Sequence, residues 1–150
     1  MDKKPCLVSI QSAFAEESMR YEGTFEISED RIRISWVQPE EEKGVGDSRF
    51  LLSYRIHEKL LKMTRRGAAE TDMTFQQGEV TDGVMRTSHG DFDLSMETFF
   101  ISFFSEEEDE DIEIDGVPHL LKKAKLEYDL LFPGQDPMRN IMVFNIAIAK

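Results

Sequence analysis

Segment after segment of this chain carries apolar side chains at every second residue. In Arg31–Val37, Ile32, Ile34 and Trp36 fall on one face, while Arg31, Arg33 and Ser35 fall on the other. Successive side chains of an extended backbone point to opposite faces, so this is a strand with one dry and one wet side. About ten such segments follow one another with little room for helix, which predicts a single antiparallel sheet curled into a barrel or sandwich.

The predicted strands run Cys6–Ala15, Met19–Ser28, Arg31–Gln38, Ser48–Ile56, Lys59–Arg66, Glu70–Phe75, Val80–Thr87, Asp91–Phe104, Leu121–Phe132 and Pro137–Ala149. Short polar or glycine-containing turns join them, Pro133-Gly134-Gln135-Asp136 giving the strongest hairpin signal. Phe99–Phe104 is apolar on both faces and requires cover from other protein or from another chain. Pro39–Asp47 and the acidic run Ser105–Asp115 read as loops. Sequential hairpins without crossover helices favour an up-and-down barrel, because closure removes sheet edges. The fold class is therefore all-β: one domain over 1–150, a single antiparallel up-and-down barrel of about ten strands. An aromatic-rich inner set is expected from Tyr21, Phe25, Trp36, Tyr54, Phe92, Tyr128 and Phe144.

Charge narrows the partners. Eighteen Lys and Arg against 30 Asp and Glu leave a net charge of −12. Such a field repels phosphate backbones and anionic lipid surfaces, so neither nucleic acid nor membrane is an expected partner. Basic residues at Arg65–Arg66 and Lys122–Lys125 would split between the faces of alternating strands. Cys6 is the single cysteine, which rules out an internal disulfide and fits a reducing compartment. Met1-Asp2-Lys3-Lys4-Pro5 leads straight into a strand with no apolar signal region, and no apolar run reaches the length of a membrane helix. A cytoplasmic location is the expectation.

The stretch "MTFQQGEVTDGVMRTSHGDFDLSMETFFISFF" over Met73–Phe104 and the closing "LEYDLLFPGQDPMRNIMVFNIAIA" resemble the YwiB-like family of uncharacterised bacterial proteins. The resemblance covers nearly the whole chain and rests on turns and strand patterns. It departs in the acidic insertion Ser105–Asp115 and in the loop holding Glu40–Glu42. It implies a calycin-type, lipocalin-like β-barrel and carries no catalytic residues with it.

No segment supplies a nucleophile elbow, a phosphate-binding glycine loop or a paired-histidine metal motif. His57, His89 and His119 fall at predicted turns or loops without metal-ligand spacing, and Cys6 lacks a partner that would activate it. Asp111-x-Glu113-x-Asp115-Gly116 is similar to the start of a calcium loop, but Lys122 stands where the closing bidentate glutamate belongs. No catalytic residue, metal site or cofactor is expected, and the protein is read as a non-enzyme. The favoured function is binding of a small apolar or amphipathic ligand inside the barrel. Arg86 would anchor it, with Tyr54 and Tyr128 assisting and Trp36 in the wall. Two registers of Val80–Thr87 fit the sequence: with Val80 and Val84 inward Arg86 is buried, whereas with Met85 inward it meets water. The alternative is a structural or protein-interaction module with a side-chain-filled barrel, presenting Phe99–Phe104 to a partner or to a second copy as a homodimer.

Overall fold

The computed structural model describes residues 3–12, 19–39, 44 and 46–150. Its strands are β1 (Lys3–Ser12), β2 (Tyr21–Ile27), β3 (Arg31–Gln38), β4 (Ser48–Arg55), β5 (Leu60–Arg66), β6 (Glu70–Gln76), β7 (Val80–Thr87), β8 (Gly90–Phe103), β9 (Glu110–Ile114), β10 (Val117–Leu131) and β11 (Met138–Ala149). Sequence neighbours from β1 to β8 pair antiparallel. β10 then joins β8 to β11, and β11 returns to β1. Ten strands thus close into the antiparallel, calycin-like barrel, and β9 is a short extra strand on β10. No helix among the described residues is long and apolar enough to cross a membrane. The expected turn at Glu16-Glu17-Ser18, the end of the first strand beyond Ser12, and Glu40–Glu42 lie outside the described residues.

The acidic run is not all loop, as its composition suggested. Its second half is β9, which turns into β10 through Asp115 (φ 50°) and Gly116 (φ 78°). Two consecutive residues in the left-handed region make the tight hairpin turn that Asp-Gly favours. Lysines neutralise the carboxylates: Lys122 meets Asp109 at 2.9 Å, Lys123 meets Glu110 at 3.2 Å and Lys125 meets Glu108 at 2.6 Å. Lys150 pairs with Asp111.

The two-faced apolar stretch has a geometric origin. Phe100 pairs with Glu127 and Thr98 with Tyr128, leaving Phe99 as the extra residue of a β-bulge. The bulge resets the alternation, so Met96 and Thr98 face inward before it, and Ile101 after it. Phe99 and Phe100 both end on the surface, 40% and 45% exposed. The turn between β6 and β7 braces the bulge. Gln77 accepts the Ile101 N–H through Oε1 at 3.0 Å, and Gly78 N–H donates to the Thr98 carbonyl at 2.8 Å.

Inside, Val8, Ile34, Leu52, Leu61, Phe75, Met96, Leu126, Phe144 and Ile146 are fully buried. Each such side chain contributes about 1.5–3 kcal/mol over its exposed state. Aromatic pairs bridge strands that are not neighbours: Trp36 with Phe144 (6.4 Å between centroids), Tyr54 with Phe103 (4.5 Å) and Phe75 with Tyr128 (4.8 Å). Phe92 departs from the expected inner set. It keeps the inward parity but sits near the start of β8, where it is half exposed.

Candidate functional site

Arg86 does not take the interior register. Gly83 explains why: a Cβ built there would lie 3.3 Å from Cε of the fully buried Met96, so the odd positions of β7 face the core. Arg86 therefore stands on the outer face, 3.1 Å from Asp72. The other Asp72 oxygen takes a 2.9 Å hydrogen bond from Arg66. That hydrogen bond, with Arg66's charge and a lesser contribution from Arg86, holds the Asp72 carboxyl below the usual carboxylate range. The groups are solvent-exposed, so the pair contributes only about 0–1 kcal/mol.

Tyr54 and Tyr128 are core residues. Tyr54 stacks on Phe103 at an interplanar angle of 12°. Tyr128 accepts a hydrogen bond from Asn140 Nδ2 at 3.0 Å, deep in the barrel. Burial raises the pKa of both phenols, opposed at Tyr128 by the Asn140 contact. The volume they were expected to offer a ligand is occupied by their aromatic partners. Arg86 and the two tyrosines are not brought together.

Trp36 is different. It packs inward, stacked on Phe50 at 5.2 Å, with its indole Nε1 buried and unpaired among the described residues. It also borders an open groove of about 740 Å³ across β1–β4 and the ends of β10 and β11. The apolar lining comes from Pro5, Leu7, Val37, Ala147 and Ala149, with Thr24, Ser35 and Arg49 at its polar end and Glu22, opposite Leu7, as its carboxylate. Small residues at outward positions make the trough. Thr24 pairs with Ser35 across β2 and β3, and their hydroxyls are hydrogen-bonded at 2.9 Å. A second groove of about 380 Å³ shares Thr24, Ser35, Arg49 and Phe50 with the first, so the two are continuous. The second is cationic: Lys3, Arg33, Arg49 and Arg66 line it, with Glu26 as its carboxylate.

Residues 9–143 match a family described as a domain of unknown function, DUF1934. The chain belongs to the DUF1934 family. The structure is similar to the crystal structure of the ywiB protein from Bacillus subtilis, with a TM-score of 0.70 and 14% identity. The match covers 99% of this chain and 94% of that one. No curated protein matches. The comparisons bear out the YwiB-like resemblance and the barrel, and add no activity.

Two further residues of this DUF1934 protein sit at the groove. His119 was expected in a loop, but lies in β10 and is buried, with Nδ1 2.8 Å from the Val117 carbonyl. Cys6 is buried in β1, and desolvation pushes its thiol up to about 11. A thiol so protonated is a poor nucleophile. Among the described residues no three His, Cys, Asp or Glu side chains gather as a metal site. Sequence reasoning missed the groove because its lining residues are joined only by cross-strand register. The available signal was the run of small residues at outward positions: Thr24, Ser35, Ala147 and Ala149.

Proposed function

We propose that this protein is a non-enzymatic binder of a small amphipathic ligand, held against the outer wall of the barrel and not within it. The continuous groove carries the reading: about 740 Å³ of mainly apolar trough ending at Thr24, Ser35 and Arg49. Sites for small ligands commonly enclose about 300–1,000 Å³, apolar with a few polar groups that fix orientation. Trp36 lies in the wall beneath the trough and is the single tryptophan, so a change in its emission reports a ligand that alters that wall. The single buried cysteine and the acidic surface fit a reducing, cytoplasmic setting without nucleic acid or membrane as partner.

Titration with decyl maltoside, decanoate and decyl phosphate below their micelle concentrations is expected to shift the Trp36 emission saturably. Ala149→Phe fills the exposed end of the trough and is expected to weaken binding about tenfold, a loss near 1.4 kcal/mol, with an unchanged melting temperature. Absence of saturable binding by every amphiphile would remove the groove as a ligand site.

A second reading rests on the β8 bulge. Phe99, Phe100 and Ile141 are exposed on adjoining outer faces, and Arg139 lies 4.4 Å over the Phe99 ring. Such a patch suits a second copy of the chain. Light scattering on size-exclusion fractions is expected to give a dimer that Phe100→Lys dissociates; a wild-type monomer over the accessible concentration range refutes it.

A further inference from the structure

We infer that the cationic end of the wall groove reads an anionic head group, a phosphate or a carboxylate, on the amphipathic ligand, with Arg33 and Arg49 as its principal contacts. The inference rests on the groove being a ligand site and names the class of ligand.

Charge distribution is the first argument. In a chain of net charge −12, several cations elsewhere are held in ion pairs: Lys122, Lys123, Lys125 and Lys150 by the acidic run, and Arg139 by Glu127 and Asp129. Arg86 and Arg66 converge on Asp72. Arg33 and Arg49 have no ion-pair or hydrogen-bond partner among the described residues. Two unpaired guanidiniums on one wall of so acidic a protein form a local well of opposite sign, attractive to an anion that the remaining surface repels.

Register is the second. Arg33 stands opposite Ser53, Ser35 opposite Leu51, and Val37 opposite Arg49 on the β3–β4 ladder. The two arginines thus bracket the Thr24–Ser35 hydroxyl pair from either side along the strands. Arg66 faces Arg49 from β5, and Thr64 faces Leu51. Hydroxyl donors surrounded by guanidinium forks match the oxygens of phosphate and carboxylate, which accept several charge-assisted bonds at once. Glu26 stands between Lys3 and Arg33 in register and offsets one charge. It also penalises an anion placed beyond Arg33 at the Lys3 edge, which favours a head seated over Ser35, between Arg33 and Arg49, where the apolar trough begins. An apolar chain along Val37, Leu7 and Ala147 with its anionic head over Ser35, between Arg33 and Arg49, therefore uses both grooves in one pose and keeps the head off Glu22, the trough's carboxylate opposite Leu7.

The test uses the whole protein and the same three ten-carbon probes, which differ only in head group. Decyl phosphate, decanoate or both are expected to bind at least about tenfold more tightly than decyl maltoside, with affinity falling as salt rises. The tighter of the two anions identifies the head group. Arg33→Gln and Arg49→Gln are each expected to erase that preference, lowering affinity for the anionic probes about tenfold more than for decyl maltoside. Lys62→Gln, which removes a cation outside both grooves that has no ion-pair partner among the described residues, is the control for net charge and is expected to change nothing. Equal affinity for all three heads overturns the anionic assignment but leaves the groove a ligand site. An equal loss in Lys62→Gln overturns the role of Arg33 and Arg49 in favour of bulk charge. Absence of binding by any probe overturns both readings together. Circular dichroism melts of the variants guard against misfolding, because all three substituted positions are on the outer face.

Discussion

Phe144→Ala is expected to lower stability by about 3–5 kcal/mol, the cost of losing a large buried aromatic and leaving a cavity. In a domain of this length the melting temperature falls on the order of 10 °C. Phe144 is fully buried on β11, the strand that closes the barrel. Its cross-strand partners are Ile10 on β1 and Ala124 on β10, and its ring contacts Trp36 from the far side of the lumen. Ala124 has nothing to extend into the space, and Trp36 is held by its stack on Phe50. The cavity therefore stays open. Ile141→Ala on the same strand, where the side chain is half exposed, is expected to cost within about 0.5 kcal/mol. Guanidinium unfolding of the two variants checks the contrast. A loss below about 1 kcal/mol for Phe144→Ala would mean that the seam is loosely packed and that the barrel interior is not the source of its stability.

Where strand identity depended on local alternation, the fold was legible. Ile32, Ile34 and Trp36 are all buried because nothing in β3 interrupts the two-residue period. Legibility failed where parity was ambiguous or was reset. β7 carries valines at even positions and Met85 at an odd one, and the deciding residue, Gly83, has no side chain to betray its face. The extra residue at Phe99 made one face look like two. Around β9 the carboxylates hid a strand whose Ile112, Ile114 and Asp115-Gly116 were in plain sight. The groove was out of reach for a deeper reason. Arg33 and Arg49 are sixteen positions apart in the chain, and only the β3–β4 register places both beside Thr24 and Ser35. Alternation tells which side a residue faces; it does not tell which neighbours share that side.

Gly23→Ala is the sharpest test of how tightly that wall is built, because two physical effects predict opposite signs. Glycine in a strand interior carries an entropic penalty, so alanine should stabilise by roughly 0.4–1 kcal/mol if the site has room. The structure leaves none. Gly23 lies between Cys6 on β1 and Trp36 on β3, and its backbone is not in the left-handed region, so space alone is at issue. A Cβ there would fall well inside contact distance of the Ser35 carbonyl oxygen, 3.0 Å from Trp36 Cβ and 3.3 Å from a Val8 methyl. The carbonyl is part of the backbone joining β2 to β3 and cannot swing aside as a flexible side chain would. Packing therefore wins: Gly23→Ala is expected to destabilise by about 1–3 kcal/mol, and Gly23→Val by more. Trp36 is pressed directly, so its emission should shift in the folded variant and the adjoining groove should bind amphiphile more weakly. A stabilised Gly23→Ala protein would show that β2 and β3 are further apart than this geometry requires, and the trough that Gly23 and Trp36 border would lose its floor.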